Sequence, residues 1–301
     1  MVMGRRRLAA GRAASGLAVL AAAWLFGVWP PPVWWRTHWP NQTAMMRLRG
    51  TAVSYRPSAL DDFPAVLQRL VVIGEDSRFR THHGLDFDEI QDALGLDRGA
   101  GVGQTVRTIW RQRDRLRGAS TITQQLAKNL YLSPSRNPLR KVKEAVTALR
   151  LELALSKDRI LELYCNLVEL GPGVWGVSAA SEYYFKTSPS NLTEAQAAAL
   201  AATLPFPLRS NPAYRSGRML HRRDLILARY RGVDVYIPPE EEFDSIPVPQ
   251  FLPPIVPPVI DSLMQDTLMI PLPLPDTAAS PAPDSLRDTT RDTTKGPQTR
   301  P

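Results

Sequence analysis

Three groups of side chains in this chain have the types and spacing to work on a common substrate. Glu75 closes an apolar run that begins at Phe63, where partial desolvation would raise a carboxylate toward the range of a general base. Asp76, next to it, is left to hold local structure. Lys128, Arg136, Arg140, Lys141 and Lys143 fall within 16 residues, a density of cations suited to phosphate oxygens. Between the carboxylate and most of these cations, GASTITQQLAKN supplies uncharged donors in Ser120, Thr121, Gln124, Gln125 and Asn129, which suit an oxygen-rich ligand. Together they could abstract a proton while stabilising a departing phosphate. Two of these groups also have a plainer reading: Glu75 as a helix-terminal partner of Arg78 or Arg80, and GASTITQQLAKN as a capped, solvated helix.

The elements that must position these groups are helices. Thr121 with Gln124 forms a T-x-x-Q capping box, so a helix starts there and runs through Leu130 or beyond, with Ile122, Leu126 and Leu130 buried. Phe63, Val66, Leu67, Leu70 and Val71 follow helical spacing after Pro64 and place Glu75 at the end of a buried element. A helix opened by Asn137 and Pro138 has Leu139, Val142, Val146, Leu149 and Leu153 in one stripe, read as its buried face, with Arg140, Lys141 and Glu144 opposite. Ser156 to Val168 and Thr193 to Leu204 complete the set, the latter with a capping box from Thr193 to Gln196. No alternating run is long enough for a substantial sheet, so the fold class is mainly α.

The ends of the chain differ from this middle. Residues 13–35 carry no charge and follow Arg5, Arg6, Arg7 and Arg12, the pattern of a single membrane anchor with its N-terminus inside. Pro30 to Pro32 limit its helix to about Ala13 through Trp29, near the short end of the ~17 to 25 residues that span a bilayer. Trp29, Trp34, Trp35 and Trp39 are then expected at the far interface, and a cleaved signal peptide is the competing reading. The domain plan is a basic tail and anchor over 1–36, a linker over 37–60, a catalytic domain over 61–232 and an extended tail over 233–301. That tail holds 15 of the 28 prolines, and its apolar patches are docking candidates for a partner or membrane. The net charge of +8 includes four N-terminal arginines, which favours anionic lipid and a pyrophosphate substrate over nucleic acid. Cys165 is alone, which rules out an intrachain disulfide, and the four histidines show no zinc spacing.

In order, EDSRFRTHHG (75–84), GASTITQQLAKN (118–129), RNPLRKVKE (136–144), KDRILELYCN with GPGVWGVSAASEYYF (157–185) and LTEAQAAALAATLPFPLRSNP (192–212) resemble the monofunctional biosynthetic peptidoglycan glycosyltransferases. The match runs from about Ala65 to Arg229. It implies a lysozyme-like lobe beside a smaller, membrane-contacting lobe. It also implies an inverting polymerisation of lipid II into β-1,4 glycan, with release of undecaprenyl pyrophosphate. The partners it implies are lipid II, the growing lipid-linked glycan, the membrane and other wall-synthesis or division proteins. The location it implies is the outer face of a bacterial inner membrane.

By the same resemblance Glu75 is the base for the incoming 4-hydroxyl, and Lys128, Arg136 and Lys143 meet the pyrophosphate. Glu144 is the second important glutamate. Its role is open between orienting Lys143 and Arg140, holding a divalent ion on the pyrophosphate, and polarising the reacting sugar; a solvated i, i+4 pair with Arg140 is the plain alternative. No cofactor is required, although Mg or Mn at the pyrophosphate fits the chemistry. Phe79, His82 and Gly84 read as structural: a packed aromatic, a histidine bonded to backbone and a tight turn. Glu162 and Asn166, one helical turn apart, brace the lobe from behind. Residues 96–116 look like an insertion near the groove. A lytic wall enzyme and a noncatalytic membrane-anchored scaffold are the competing functions.

Overall fold

The computed structural model describes residues 2–50, 57–96, 120–132 and 138–238, with residues 101, 103, 104, 107 and 108. Most of the insertion, Arg136 and the Pro-rich tail beyond Pro238 lie outside the described residues. Ten helices are described: α1 Val2–Phe26, α2 Ala44–Arg49, α3 Ala65–Glu75, α4 Phe87–Leu94, α5 Ile122–Tyr131, α6 Pro138–Ala154, α7 Lys157–Leu167, α8 Val177–Phe185, α9 Glu194–Thr203 and α10 Gly217–Tyr230. The described sheet is one small antiparallel hairpin, β1 Glu169–Gly171 with β2 Val174–Trp175. The described architecture is mainly α.

Local chemistry explains where the central helices begin. The Thr121 side chain accepts from Gln124 N at 3.2 Å while Gln124 Oε1 accepts from Thr121 N at 3.0 Å, so two orphan donors at the start of α5 are satisfied reciprocally. Thr193 and Gln196 repeat the device at α9, and Ser156 caps α7 by accepting from Arg159 N. Asp76 Oδ2 adds a charge-assisted cap to α5, accepting from Ile122 N at 3.0 Å. Thr121 Oγ1 also donates to Gly84 O at 2.7 Å. Thr121→Ala is therefore expected to cost roughly 1–2 kcal/mol, from the lost cap and an unpaired Gly84 carbonyl, read as a lower urea midpoint at unchanged m-value.

Packing joins these helices in two groups. α3 lies against α9 and α10, and α5 lies against α2, α6 and α7. Phe63, Leu67, Leu70, Ile122, Leu126, Leu151, Ile160, Leu161 and Tyr164 are all buried in one core. Gly84, at φ +87°, sits close to the α6 backbone; a Cβ there would lie 3.1 Å from the Ala148 carbonyl carbon.

Several expectations are corrected. α6 is turned over: Leu139, Val142, Leu149 and Leu153 are exposed, at 59, 49, 38 and 84 %, while Glu144, Thr147, Ala148, Leu151 and Leu155 face inward. The apolar stripe is real, but it lines an outer surface. Residues 37–60 are not only a linker, because Thr43, Met45 and Met46 of the α2 region are buried, and the Asn166 amide holds the Ser58 backbone on both sides, accepting from Ser58 N and donating to Ser58 O. Trp35 is a core residue whose indole donates to the Tyr131 hydroxyl, and Trp39 lies under the Arg159 guanidinium at 4.2 Å, so neither stands at an interface with Trp29 and Trp34. α1 begins near the chain start and ends at Phe26. Among the described residues no helix is long and apolar enough to cross a membrane.

Candidate active site

Glu75 is the last residue of α3, and three elements converge on its carboxylate. From α5, Gln125 Nε2 donates to Oε2 at 2.9 Å. From α10, the Arg222 guanidinium donates to Oε1 at 3.3 Å and to the preceding carbonyl, Gly74 O, at 2.5 Å. From α7, the Tyr164 hydroxyl donates to Gln125 Oε1 at 2.8 Å, which fixes the Gln125 amide so that its NH₂ group points at Glu75. Burial lifts the Glu75 carboxyl above its usual range, against the opposing pull of Arg222, the Gln125 hydrogen bond and the charge of Lys128. Neither Arg78 nor Arg80 is its partner: Arg78 pairs with Asp86 and Glu89, and Arg80 pairs with Asp158.

The cations divide into two places. Lys128, on α5, is held below the ordinary lysine range mainly by burial, while Glu144 and Glu75 pull it back up. It thus feels both carboxylates. Among the described residues its Nζ has no hydrogen-bond partner, so it is available to an anion. On α6, Arg140 and Lys141 donate to the two oxygens of Glu144 at 2.6 and 2.5 Å, and Lys141 also reaches Ser120 Oγ at 2.8 Å. Glu144 is only 2 % exposed, so its pair with Arg140 is not a solvated one. It orients Arg140 and Lys141, not Lys143. Lys143 points elsewhere, donating to Gly27 O at 3.1 Å and resting 5.1 Å from the Trp24 ring at the end of α1. Of the cations expected together, Lys128 therefore has Arg140 and Lys141 as its neighbours among the described residues, while Lys143 lies apart at the end of α1.

The neutral run is divided as well. Ser120 and Gln125 lie on or beside α5 in contact with these charges, and Asn129 is a buried residue of α5. Thr121 and Gln124 are buried and committed to the capping box, so they shape the site rather than offering free donors to a sugar. Phe79 is fully buried, with Lys157 Nζ 4.4 Å from its ring. His82 bonds the Asp76 carboxylate at 2.9 Å, a side-chain partner and not the backbone one expected. Glu162 pairs with Arg159, while its carbonyl accepts from Asn166 Nδ2 at 2.8 Å.

The carboxylates that could meet a divalent ion are already engaged with other groups. Both oxygens of Glu144 accept from a cation. Asp76, His82 and Asp86 lie close together, but Asp76 caps α5 and pairs with His82, and Asp86 caps α4 and pairs with Arg78.

Tyr164 and Arg222 are site residues that sequence reasoning did not single out for function. Tyr164 lies inside the helix expected over Ser156 to Val168, whose apolar neighbours give it no separate signal. Arg222 carried a signal, because it shares a helical face with the buried Met219 and Ile226, and an arginine in that phase needs a buried partner.

The family model described as Transglycosylase matches residues 41–231. The biosynthetic peptidoglycan transglycosylase of Methylobacillus flagellatus is 39 % identical over 227 residues, covering 72 % of this chain and 93 % of its own. That of Azoarcus sp. strain BH72 is 39 % identical over 74 % of this chain and 94 % of its own, and one from Acinetobacter baumannii 38 % over 71 % and 91 %. With a matching span that contains every element converging on Glu75, the chain belongs to the transglycosylase family.

Proposed function

We propose that this enzyme polymerises lipid II into β-1,4-linked peptidoglycan strands with inversion, releasing undecaprenyl pyrophosphate. The observation that carries the reading is a buried, hydrogen-bonded carboxylate that feels the charge of the half-buried Lys128, whose Nζ has no hydrogen-bond partner among the described residues. In the proposed reaction Glu75 takes the proton from the 4-hydroxyl of one saccharide as its oxygen attacks the anomeric carbon of the other. The bond to pyrophosphate breaks, and Lys128 with Arg140 and Lys141 meets the charge that develops on the leaving oxygen. A pyrophosphate departs without a proton, so no general acid is needed. Glu144, with both oxygens turned to cations, serves as the brace of that cationic wall. Ser120, Gln125 and Asn129 are the proposed contacts to sugar and phosphate oxygens, in a lysozyme-like lobe with a smaller lobe toward the membrane.

We place the enzyme at the outer surface of the cytoplasmic membrane. The charge-free part of α1, residues 13–26, is shorter than the ~17 residues a spanning helix needs, so it supports attachment more directly than crossing. The exposed Leu139, Val142, Leu149 and Leu153, with Trp24, Trp29 and Trp34 and the flanking Lys143 and Arg150, supply further lipid-facing surface. The tail beyond Pro238 is assigned to contacts with other wall-synthesis proteins.

The test is strand formation from lipid II by the purified full-length chain. Polymer from lipid II, with finished glycan left intact, supports the proposal; shortening of finished glycan without a lipid-linked donor points to a lytic enzyme. The pH profile of kcat/KM is expected to be bell-shaped. Glu75 must be ionised and its pKa is raised, so the acid limb lies above that of an ordinary glutamate. Lys128 must be protonated and its pKa is lowered, so the alkaline limb lies below that of an ordinary lysine.

A further inference from the structure

Beyond α10 the chain does not leave the domain at once. Gly232, at φ +87°, turns it back, and Val233 N donates to Ala228 O at 3.0 Å. Val235 and Ile237 then pack against the core, and Pro238 is buried. The Pro238 carbonyl accepts from Arg222 Nη1 at 2.7 Å, while Arg222 Nη2 serves Gly74 O and Glu75. Arg222, only 4 % exposed, is thus clamped between the end of α3 and the root of the tail. Its approach depends on Gly74, where a Cβ would lie 3.0 Å from Ile226 Cδ1 on the facing α10.

We propose that residues 233–238 are a strap whose Pro238 carbonyl fixes the Arg222 guanidinium against Glu75, which makes Arg222 a positioning residue for the base. The inference rests on the reading of Glu75 as that base. Arginine has five donors in a planar fork, so a carbonyl held on one side determines what the other side can reach. The other groups facing Glu75 are Lys128 from α5 and, through Gln125, the Tyr164 hydroxyl from α7; Asp76 follows it in the chain. α9 also packs on α3, and its one titratable residue, Glu194, pairs with Arg231.

Full-length protein assayed with lipid II across pH tests this. An opposite charge at this range lowers a carboxylate pKa by about 1 to 3 units, so Arg222→Gln should move the acid limb of kcat/KM to higher pH by about one unit or more. A double variant, Val235→Ser with Ile237→Ser, should move it in the same direction by releasing the strap, and Arg222→Lys should recover part of the wild-type position. A purely structural role would instead lower the rate evenly at every pH. An acid limb unchanged in Arg222→Gln or in the strap variant overturns the proposal. Should Arg222→Gln fail to fold by circular dichroism, the strap variant, altered only at half-buried positions, decides alone. Glu75→Gln separates the two ideas: full activity there removes the base assignment itself, whereas an inactive Glu75→Gln with unmoved limbs elsewhere removes only the strap.

Discussion

Glu75→Gln is expected to lower strand formation from lipid II by roughly 10²- to 10⁴-fold, the range for loss of a positioned general base. Glutamine keeps the shape but has a single acceptor oxygen, so it accepts from Gln125 or from Arg222 and turns its NH₂ group toward the other donor; the variant should still fold, with a lowered melting temperature. The loss should fall on kcat more than on KM, because the proton is transferred only as the new bond forms. The fold around the residue supports an effect of this size. A carboxylate raised by burial is a better base near neutral pH than a solvated one, and the Tyr164–Gln125 pair holds it in one orientation. A variant retaining more than about a tenth of the wild-type rate would contradict the assignment.

The largest expected effect on stability lies at Gly176, which caps α8 and lies next to the hairpin. Its φ is +79°, and a Cβ there would collide with the Asn166 carbonyl oxygen and lie 2.9 Å from its carbon. Both obstacles are backbone, inside a helix whose Asn166 side chain also holds Ser58. Gly176→Ala therefore combines left-handed strain with a clash that no side-chain rotation relieves, and about 3 kcal/mol or more of stability should be lost. Equilibrium urea denaturation measures it, and a loss below about 1 kcal/mol would show that the two segments can separate cheaply.

What could be read from the chain before its structure follows the range of the interactions. Thr121 with Gln124, Thr193 with Gln196 and Ser156 announce helix starts because each cap spans three residues. Glu75 at the end of α3 was legible for the same reason. Its true partner was not, since Arg222 lies 147 residues away and meets it only because α10 packs on α3. The outer stripe of α6 was misjudged for a different reason. Period 3.6 shows that a helix has an apolar face, but not whether protein or lipid covers it. The plain alternative of a solvated pair between Glu144 and Arg140 fails for a related reason: the inward side of that helix buries Glu144, braced by its own neighbours Arg140 and Lys141.

α6 is one uninterrupted rod with two opposite faces. One carries Glu144 with its two cations and, farther along, seats Ala148 and Leu151 in the interior; the other turns Leu149 and Leu153 outward. A close-packed helix tilts as a unit more readily than it bends. Whatever surface the outward face rests upon therefore shares one rigid axis with that carboxylate, nine residues back from Leu153.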